Sequence, residues 1–197
     1  MATTDTGIAN LALARIGGKQ ITSLTADTTR EDRLCNALYA DTLDELLIQA
    51  DWNFARHIYD LAETVDLVEI DEYTYVYDLP VSPVPLMWRY SSVKLKDDET
   101  DDLDWQLIGN YIYSDTLDLR LVATTRVSVV TDMPVYFQSA LASALALKLF
   151  IPLVADLRKY QIISTTLGAD ISTAIFRNQD ENPDRNNPSA LLWDRAR

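Results

Sequence analysis

"DWNFARHIYDLAE", residues 51–63, is where the chain changes its period. Before it, apolar residues recur at the three-to-four spacing of a helix. From Ala55 on, "ARHIYDLAE" alternates and opens a strand. Trp52 and Phe54 sit at the joint, and the single histidine, His57, follows at once. The corner is either the lip of an active site or the place where helices hand over to a sheet. The flanking sequence decides between them.

Upstream lie two helices. "TDTGIANLALARIG", residues 4–17, places Ile8, Leu11, Ala12, Arg15 and Ile16 at helical spacing. Thr4 or Asp5 can cap its start, and Gly17-Gly18 stop it. A polar connector follows, with Ile21 and Leu24 as packing anchors. Asp27, Thr28 or Thr29 can cap the next helix, which runs from about Thr29 to Asp51. Its Cys35, Leu38, Leu46 and Ile48, with Tyr39, Leu43 and Leu47, form a broad apolar face.

Downstream, from Phe54 to about Val130, short runs rich in Tyr, Val, Ile, Leu and Trp alternate with turns. "EYTYVYDLP" has period two, which sets Tyr73, Tyr75 and Tyr77 on one strand face. "LMWRYSSVKL" is a second run. "WQLIGNYIYSD" carries a Gly109-Asn110 turn between two strands. "LDLRLVATTRVSVV" closes the series. The acidic stretch "KDDETDDLD", residues 96–104, reads as a solvated hairpin tip.

Helix returns at Pro134, a favourable first-turn residue after Thr131 or Asp132. "VYFQSALASALALKLF" is rich in alanine and serine, which allow close helix approach, and Pro152 ends or kinks it. Another helix spans about Asp156 to Asn178, with Leu157, Tyr160, Ile163, Leu167 and Ile175 on its face. In "QDENPDRNNPSALLWDRAR" a polar tether with two prolines leads to an isolated anchor, Leu191, Leu192 and Trp193, flanked by Arg195 and Arg197.

Helices and strands segregate along the chain, so the fold class is α+β rather than a parallel βαβ fold. The expected architecture is an antiparallel helical bundle formed by N- and C-terminal helices, residues 1–53 and 131–178. An antiparallel β region, residues 54–130, is inserted in it, and an extended C-terminal arm covers 179–197.

Composition narrows the function. Thirty acids against seventeen bases give a formal net charge of −13 and a pI near 4.3. Such a surface repels nucleic acid and anionic membranes. A single cysteine excludes an internal disulfide and a cysteine-rich zinc site, and Cys35 reads as a buried small residue. The opening "MATTDTGIAN" has neither a basic start nor an apolar block, so the expectation is a chain made without a secretory leader. The apolar run from Met133 to Ala155 contains Lys148, Gln138 and two prolines and reads as a core helix rather than a membrane span.

Catalytic signatures are scarce. The chain has no GxGxxG, no P-loop and no GxSxG. His57 has no second histidine for a metal site, and about 30 Å of helical rise separates it from Cys35, too far for a dyad. Asp41, Asp44 and Glu45 share one side of a helix and read as a solvated face. The 97–104 loop lacks the glycine and spacing of an EF-hand. No cofactor or metal is expected, and the chain is not expected to be an enzyme.

The motifs in order resemble a known family. "IANLALARIGGKQITSLTADTTREDRLCNALYADTLDELLIQADWNFARHIYDLA" resembles the N-terminal half of head-to-tail adaptor, or connector, proteins of tailed bacteriophages, the tail tubular protein A type of short-tailed phages among them. The pattern is an "ALARIG" helix, an "I-S-L" segment, and a long helix with Cys35, Tyr39 and "LDELL". Next comes "W-x-FA-R" with "LA" just downstream. "YVYDLP" and "MPVYFQSALASALALKLFIPL" resemble a later strand and helix of the same proteins. The likeness touches most of residues 7–155. It departs at Asp51, where the family usually has proline, and after Pro80, where a cysteine is often found.

The resemblance implies a virion structural protein at the head-tail interface, present in the host cytoplasm during assembly. Such proteins form a dodecameric ring on the portal protein, extend the DNA channel, and give the tail nozzle or tail tubular protein its attachment site. DNA passes through the lumen without specific binding. In that setting Leu191, Leu192, Trp193, Arg195 and Arg197 are the expected portal-docking tail, and Trp52 and Phe54 plug the bundle-sheet junction. Two other classes stand beside this one: a peptidoglycan-directed hydrolase using paired carboxylates such as Asp44 and Glu45, and an acidic DNA mimic or assembly chaperone.

Overall fold

The computed structural model of the chain describes residues 4–64, 73–81, 85–87, 93–95, 103–154 and 157–181. Among them the fold is mixed α+β, with four helices and two small antiparallel sheets. The chain divides into two units, Met1–Phe54 with Val127–Arg197, and Ala55–Arg126.

In the first unit, α1 (Asp5–Ile16) starts at Thr4, whose hydroxyl accepts the Gly7 N–H at 3.1 Å. It stops at Gly17, which takes a left-handed φ of 74° that a β-carbon would strain. Gly18 N–H closes the end on the Leu13 carbonyl at 2.8 Å. Ile8, Ala9, Ala12, Leu13 and Ile16 are buried. Leu11, expected on that face, lies on its flank and is exposed, because Ala9 and Leu13 form the second buried ridge beside Ile8, Ala12 and Ile16.

Helix α2 (Arg30–Gln49) opens with a reciprocal capping box. Thr29 Oγ1 accepts the Asp32 N–H at 3.1 Å, and Asp32 Oδ2 accepts the Thr29 N–H at 2.8 Å. The Thr28 hydroxyl donates to the same carboxylate oxygen at 2.7 Å. These bonds, Thr28's above all, hold the Asp32 carboxyl below its ordinary pKa, although the residue is buried. Cys35, Tyr39, Thr42, Leu43, Leu46 and Leu47 make the buried face. Ile48, expected on it, falls outside and is exposed.

Helix α3 (Val135–Val154) follows a 3-10 turn at Val130–Asp132. Gln138 Nε2 donates to the carbonyls of Val130 and Met133 at 3.2 and 2.9 Å, which fixes the entry of the chain. Pro134 lies just outside the helix, its carbonyl accepting the Gln138 N–H at 3.0 Å. Pro152 sits inside the last turn, where Arg30 donates to its carbonyl at 2.5 Å. By length and composition α3 could cross a membrane, the one described helix that could, but 56% of its apolar window is buried inside the structure. The chain uses that apolarity as core. Phe137, Leu141, Leu145 and Leu149 are fully buried at four-residue intervals, and α1, α2 and α4 all pack on the helix. Ala140, Ala142 and Ala146 are buried between them, where small side chains permit the close approach.

Helix α4 (Leu157–Glu181) buries Leu167, Ala174 and Asn178 along one stripe. It runs three residues past Asn178, so Gln179, Asp180 and Glu181 are helix rather than the start of an extended arm. The residues of the expected anchor, 191–197, lie outside the described residues, as do 96–102 of the acidic tip.

Polar contacts tie the helices together. Tyr39 on α2 donates to Asp5 on α1 at 3.0 Å, and Lys148 on α3 pairs with Glu45 on α2 at 2.6 Å. Arg15, read from the sequence as one position of an amphipathic row, is a half-buried hub. It donates to the Ser139 carbonyl at 2.9 Å, to the Ser139 hydroxyl at 2.8 Å and to the Ser143 hydroxyl, and it pairs with Asp170 of α4 at 3.4 Å.

The second unit is two sheets around one core. In the first sheet, β1 (Arg56–Asp60) pairs antiparallel with β7 (Leu119–Thr125), Tyr59 opposite Leu121. Strands β3 (Pro85–Met87) and β4 (Val93–Leu95) also pair with β7. In the second, β6 (Tyr111–Ser114) lies between β2 (Tyr75–Asp78) and β5 (Trp105–Ile108). Gly109 at φ 62° makes the first residue of the two-residue turn joining β5 and β6. Tyr59, Val93, Leu119 and Leu121 from one sheet meet Tyr77 and Ile112 from the other. Tyr77 donates its hydroxyl to the Thr116 carbonyl at 2.8 Å. Tyr73 precedes β2 rather than lying on it, so the expected tyrosine face holds only Tyr75 and Tyr77 within the strand.

Candidate functional site

The corner at residues 51–54 is held within the helical unit by aromatic contacts and side-chain hydrogen bonds. Trp52 is fully buried, and its indole N–H donates to the Leu46 carbonyl at 2.7 Å, close to the end of α2. Leu46 is one of the last four residues of α2, whose carbonyls have no partner within the helix, so the indole satisfies one of them. The Trp52 ring meets Phe137 edge-on at 4.9 Å and stacks at 6.4 Å over Tyr136. Phe54 closes on Phe137 at 4.7 Å. Each such aromatic pair contributes about 0.5–1.5 kcal/mol beyond the area it buries.

The end of α4 is fastened to the same corner. Asn178, buried on α4, accepts the Asn53 N–H on Oδ1 at 2.9 Å and donates from Nδ2 to the Asp51 carbonyl at 2.7 Å. Asn53 Nδ2 returns a bond to the Asn178 carbonyl at 2.7 Å. One turn later Tyr136 donates its hydroxyl to Glu181 Oε2 at 2.7 Å. Burial and that carboxylate both push the Tyr136 phenol up, so it stays a donor. The corner therefore holds the last turns of α4, Asn178 to Glu181, against residues 51–53 and Tyr136.

The other sequence candidates fall elsewhere. His57 is exposed on β1, its ring 4.5 Å from that of Tyr59. Cys35 is fully buried in α2, and burial together with Asp32 and Glu31 pushes its thiol up to about 11. A thiol so placed is a poor nucleophile at neutral pH. Glu45 is occupied by Lys148 and Asp41 is exposed. Among the described residues no group of three or more His, Cys, Asp or Glu side chains could hold a metal ion. The β unit carries an open cleft of about 1050 Å³, lined among others by Ile58, Asp60, Leu79, Pro80 and Tyr111. Its Asp60 is paired with Arg120 at 3.3 Å, and its Asp78 accepts the Thr64 hydroxyl at 2.7 Å.

Sequence reasoning singled out Trp52 and Phe54 but missed Asn53 and Asn178. The signal was thin: an asparagine inside the helix pattern at 178, four residues after Ala174, where an apolar residue would continue the stripe. The site is a clamp built from aromatic rings and amides, suited to holding chain segments in a fixed direction. No protein-family model matches the chain, and no curated protein matches it.

Proposed function

We propose that this protein is a virion structural protein, a head-to-tail adaptor of a tailed bacteriophage. On this reading α1 to α4 form an antiparallel bundle that packs side by side with its neighbours in a ring of twelve on the portal protein. The ring extends the DNA channel and offers the tail nozzle or tail tubular protein its attachment site. DNA slides through the lumen without specific binding, as a net charge of −13 favours. The protein works in the virion at the head-tail interface, after assembly in the host cytoplasm.

The observation that carries the reading is the clamp at the corner. It fastens the end of α4, and with it the root of the segment holding Leu191, Leu192, Trp193, Arg195 and Arg197, to a rigid cluster on Trp52 and Phe137. An apolar anchor on a polar tether must recover the free energy of its own ordering when it docks. A fixed end of α4 lessens that ordering cost. Electron cryo-microscopy of the protein mixed with the portal ring of its own phage tests the reading. A stoichiometric ring seated on the portal is expected, and a mixture in which the portal stays bare rejects it.

A further inference from the structure

Residues 162–175 of α4, "IISTTLGADISTAI", are a poor sequence for a helix. Four isoleucines and three threonines lose side-chain freedom there. Two serines and Asp170 compete for backbone bonds, and Gly168 adds chain entropy to the unfolded state. The competition is visible in the structure. Ser164 and Thr165 both donate to the Gln161 carbonyl at 3.0 Å, Ser172 to the Gly168 carbonyl at 3.2 Å and Thr173 to the Ala169 carbonyl at 2.8 Å. Hydroxyls turned back in this way slightly destabilise a helix. Packing therefore has to hold α4 in its helical form.

That packing is one narrow seam, and α3 is the element it lies on. Tyr160, Ser164, Leu167, Ile171, Ala174 and Asn178 follow alternating four- and three-residue steps, and all six are buried or half-buried. On α3 the matching positions fall at seven-residue intervals. Phe150 meets Tyr160 with ring centres 5.6 Å apart, Ser143 donates to Asp170 at 2.9 Å, and Tyr136 donates to Glu181 at 2.7 Å. Two of these three contacts are polar. Among the described residues Leu167 is the one large apolar side chain that α4 fully buries, whereas α3 buries Phe137, Leu141, Leu145, Leu149 and Phe150.

The polar contacts can part without stranding a charge. The Asp170 side chain is already 42% exposed, and Arg15 keeps the Ser139 carbonyl and hydroxyl when Asp170 leaves. We infer that α4 is a strap with Asp170 as its latch: it leaves α3 and unwinds as one unit while α1, α2 and α3 stay folded. The closed form predominates, and opening is a local event that lies below global unfolding in free energy. The inference concerns the chain by itself and does not rest on the adaptor reading, since its test contains no portal.

Hydrogen exchange of the full-length protein at neutral pH, read peptide by peptide, tests it. Amides of residues 160–178 should share one level of protection and exchange about tenfold or more faster than those of residues 138–149 on α3. Asp170→Asn should speed exchange in α4 by about threefold or more and leave α3 unchanged. Asp41→Asn, which removes the same charge from the exposed side of α2, should change neither. Circular dichroism checks that the variants fold, and the wild-type comparison decides by itself should Asp170→Asn fail to do so. The inference is overturned by an α4 as protected as α3, or by protection that declines steadily toward Glu181, as in fraying. An Asp170→Asn effect that is absent from α4, or shared equally by α3, overturns the latch.

Discussion

Asn53 donates two bonds to Asn178, one from its backbone and one from its side chain. The Asn178 side chain accepts the Asn53 backbone N–H at 2.9 Å, and the Asn53 side chain donates to the Asn178 carbonyl at 2.7 Å. The two residues are 125 positions apart, yet each completes a backbone group that the other's chain end leaves open. Asn178→Ala removes the acceptor for Asn53 N–H and the donor to Asp51, leaving part-buried groups unpaired. It should cost about 1–3 kcal/mol in urea unfolding. Phe176→Ala, two residues away and exposed, should stay within about 0.5 kcal/mol of the wild type.

Trp52→Ala empties the centre of the aromatic cluster and removes the bond to Leu46. The expected loss is about 3–5 kcal/mol. A near-neutral result in the same unfolding measurement would mean that the cluster does not close around the indole.

The capping box on α2 makes stability depend on acid pH. Asp32 has a folded pKa below its unfolded value, so its contribution is full above the unfolded pKa, near 3.8. It is lost as pH falls through the depressed folded value. Asp32→Asn should therefore be less stable than the wild type at pH 7, and the gap should narrow as pH is lowered below 4. A pH series of unfolding curves for both proteins measures this; a gap that stays constant with pH would remove the carboxylate from the account.

Cys35 should resist thiol reagents in the native protein. Its burial and its thiol pKa of about 11 leave almost no accessible thiolate at pH 8. Labelling with an aromatic disulfide should be slow until denaturant is added, then complete within seconds.

Deleting residues 186–197 should leave the thermal unfolding of the helical unit unchanged and abolish binding to the portal ring. Equal binding by the truncated protein, read in a pull-down with purified portal, would refute docking through Leu191, Leu192 and Trp193.

Much of the element order was legible because the signals are local. Gly17 stops α1, Thr29 caps α2, and Gly109-Asn110 turns the β5–β6 hairpin, each through bonds within a few residues. What stayed hidden depends on partners far along the chain. Arg15 counts as one residue in an amphipathic row until Ser139, Ser143 and Asp170 arrive from two other helices. Tyr59 is placed inside by its pairing with Leu121 on β7, more than sixty residues later. The clamp was half visible for the same reason: aromatic residues announce burial, whereas an asparagine looks alike whether it is solvated or, like Asn178, holding a backbone N–H and a carbonyl.

The division of the helical unit between the two ends of the chain sets an order of events during synthesis. Residues of α1 and α2 leave the ribosome first, but their main packing partner, α3, is translated only after the whole β unit. That unit is contiguous in the chain, with β1 paired to β7 and Thr125 bonded to the Ala55 carbonyl at 3.2 Å, and all of it is translated before α3. Closing it brings residues 55 and 125 together and shortens the loop that α1, α2 and α3 must span to meet. The pairing of β1 with β7 thus works as a splint, holding together two lengths of chain that are distant in sequence.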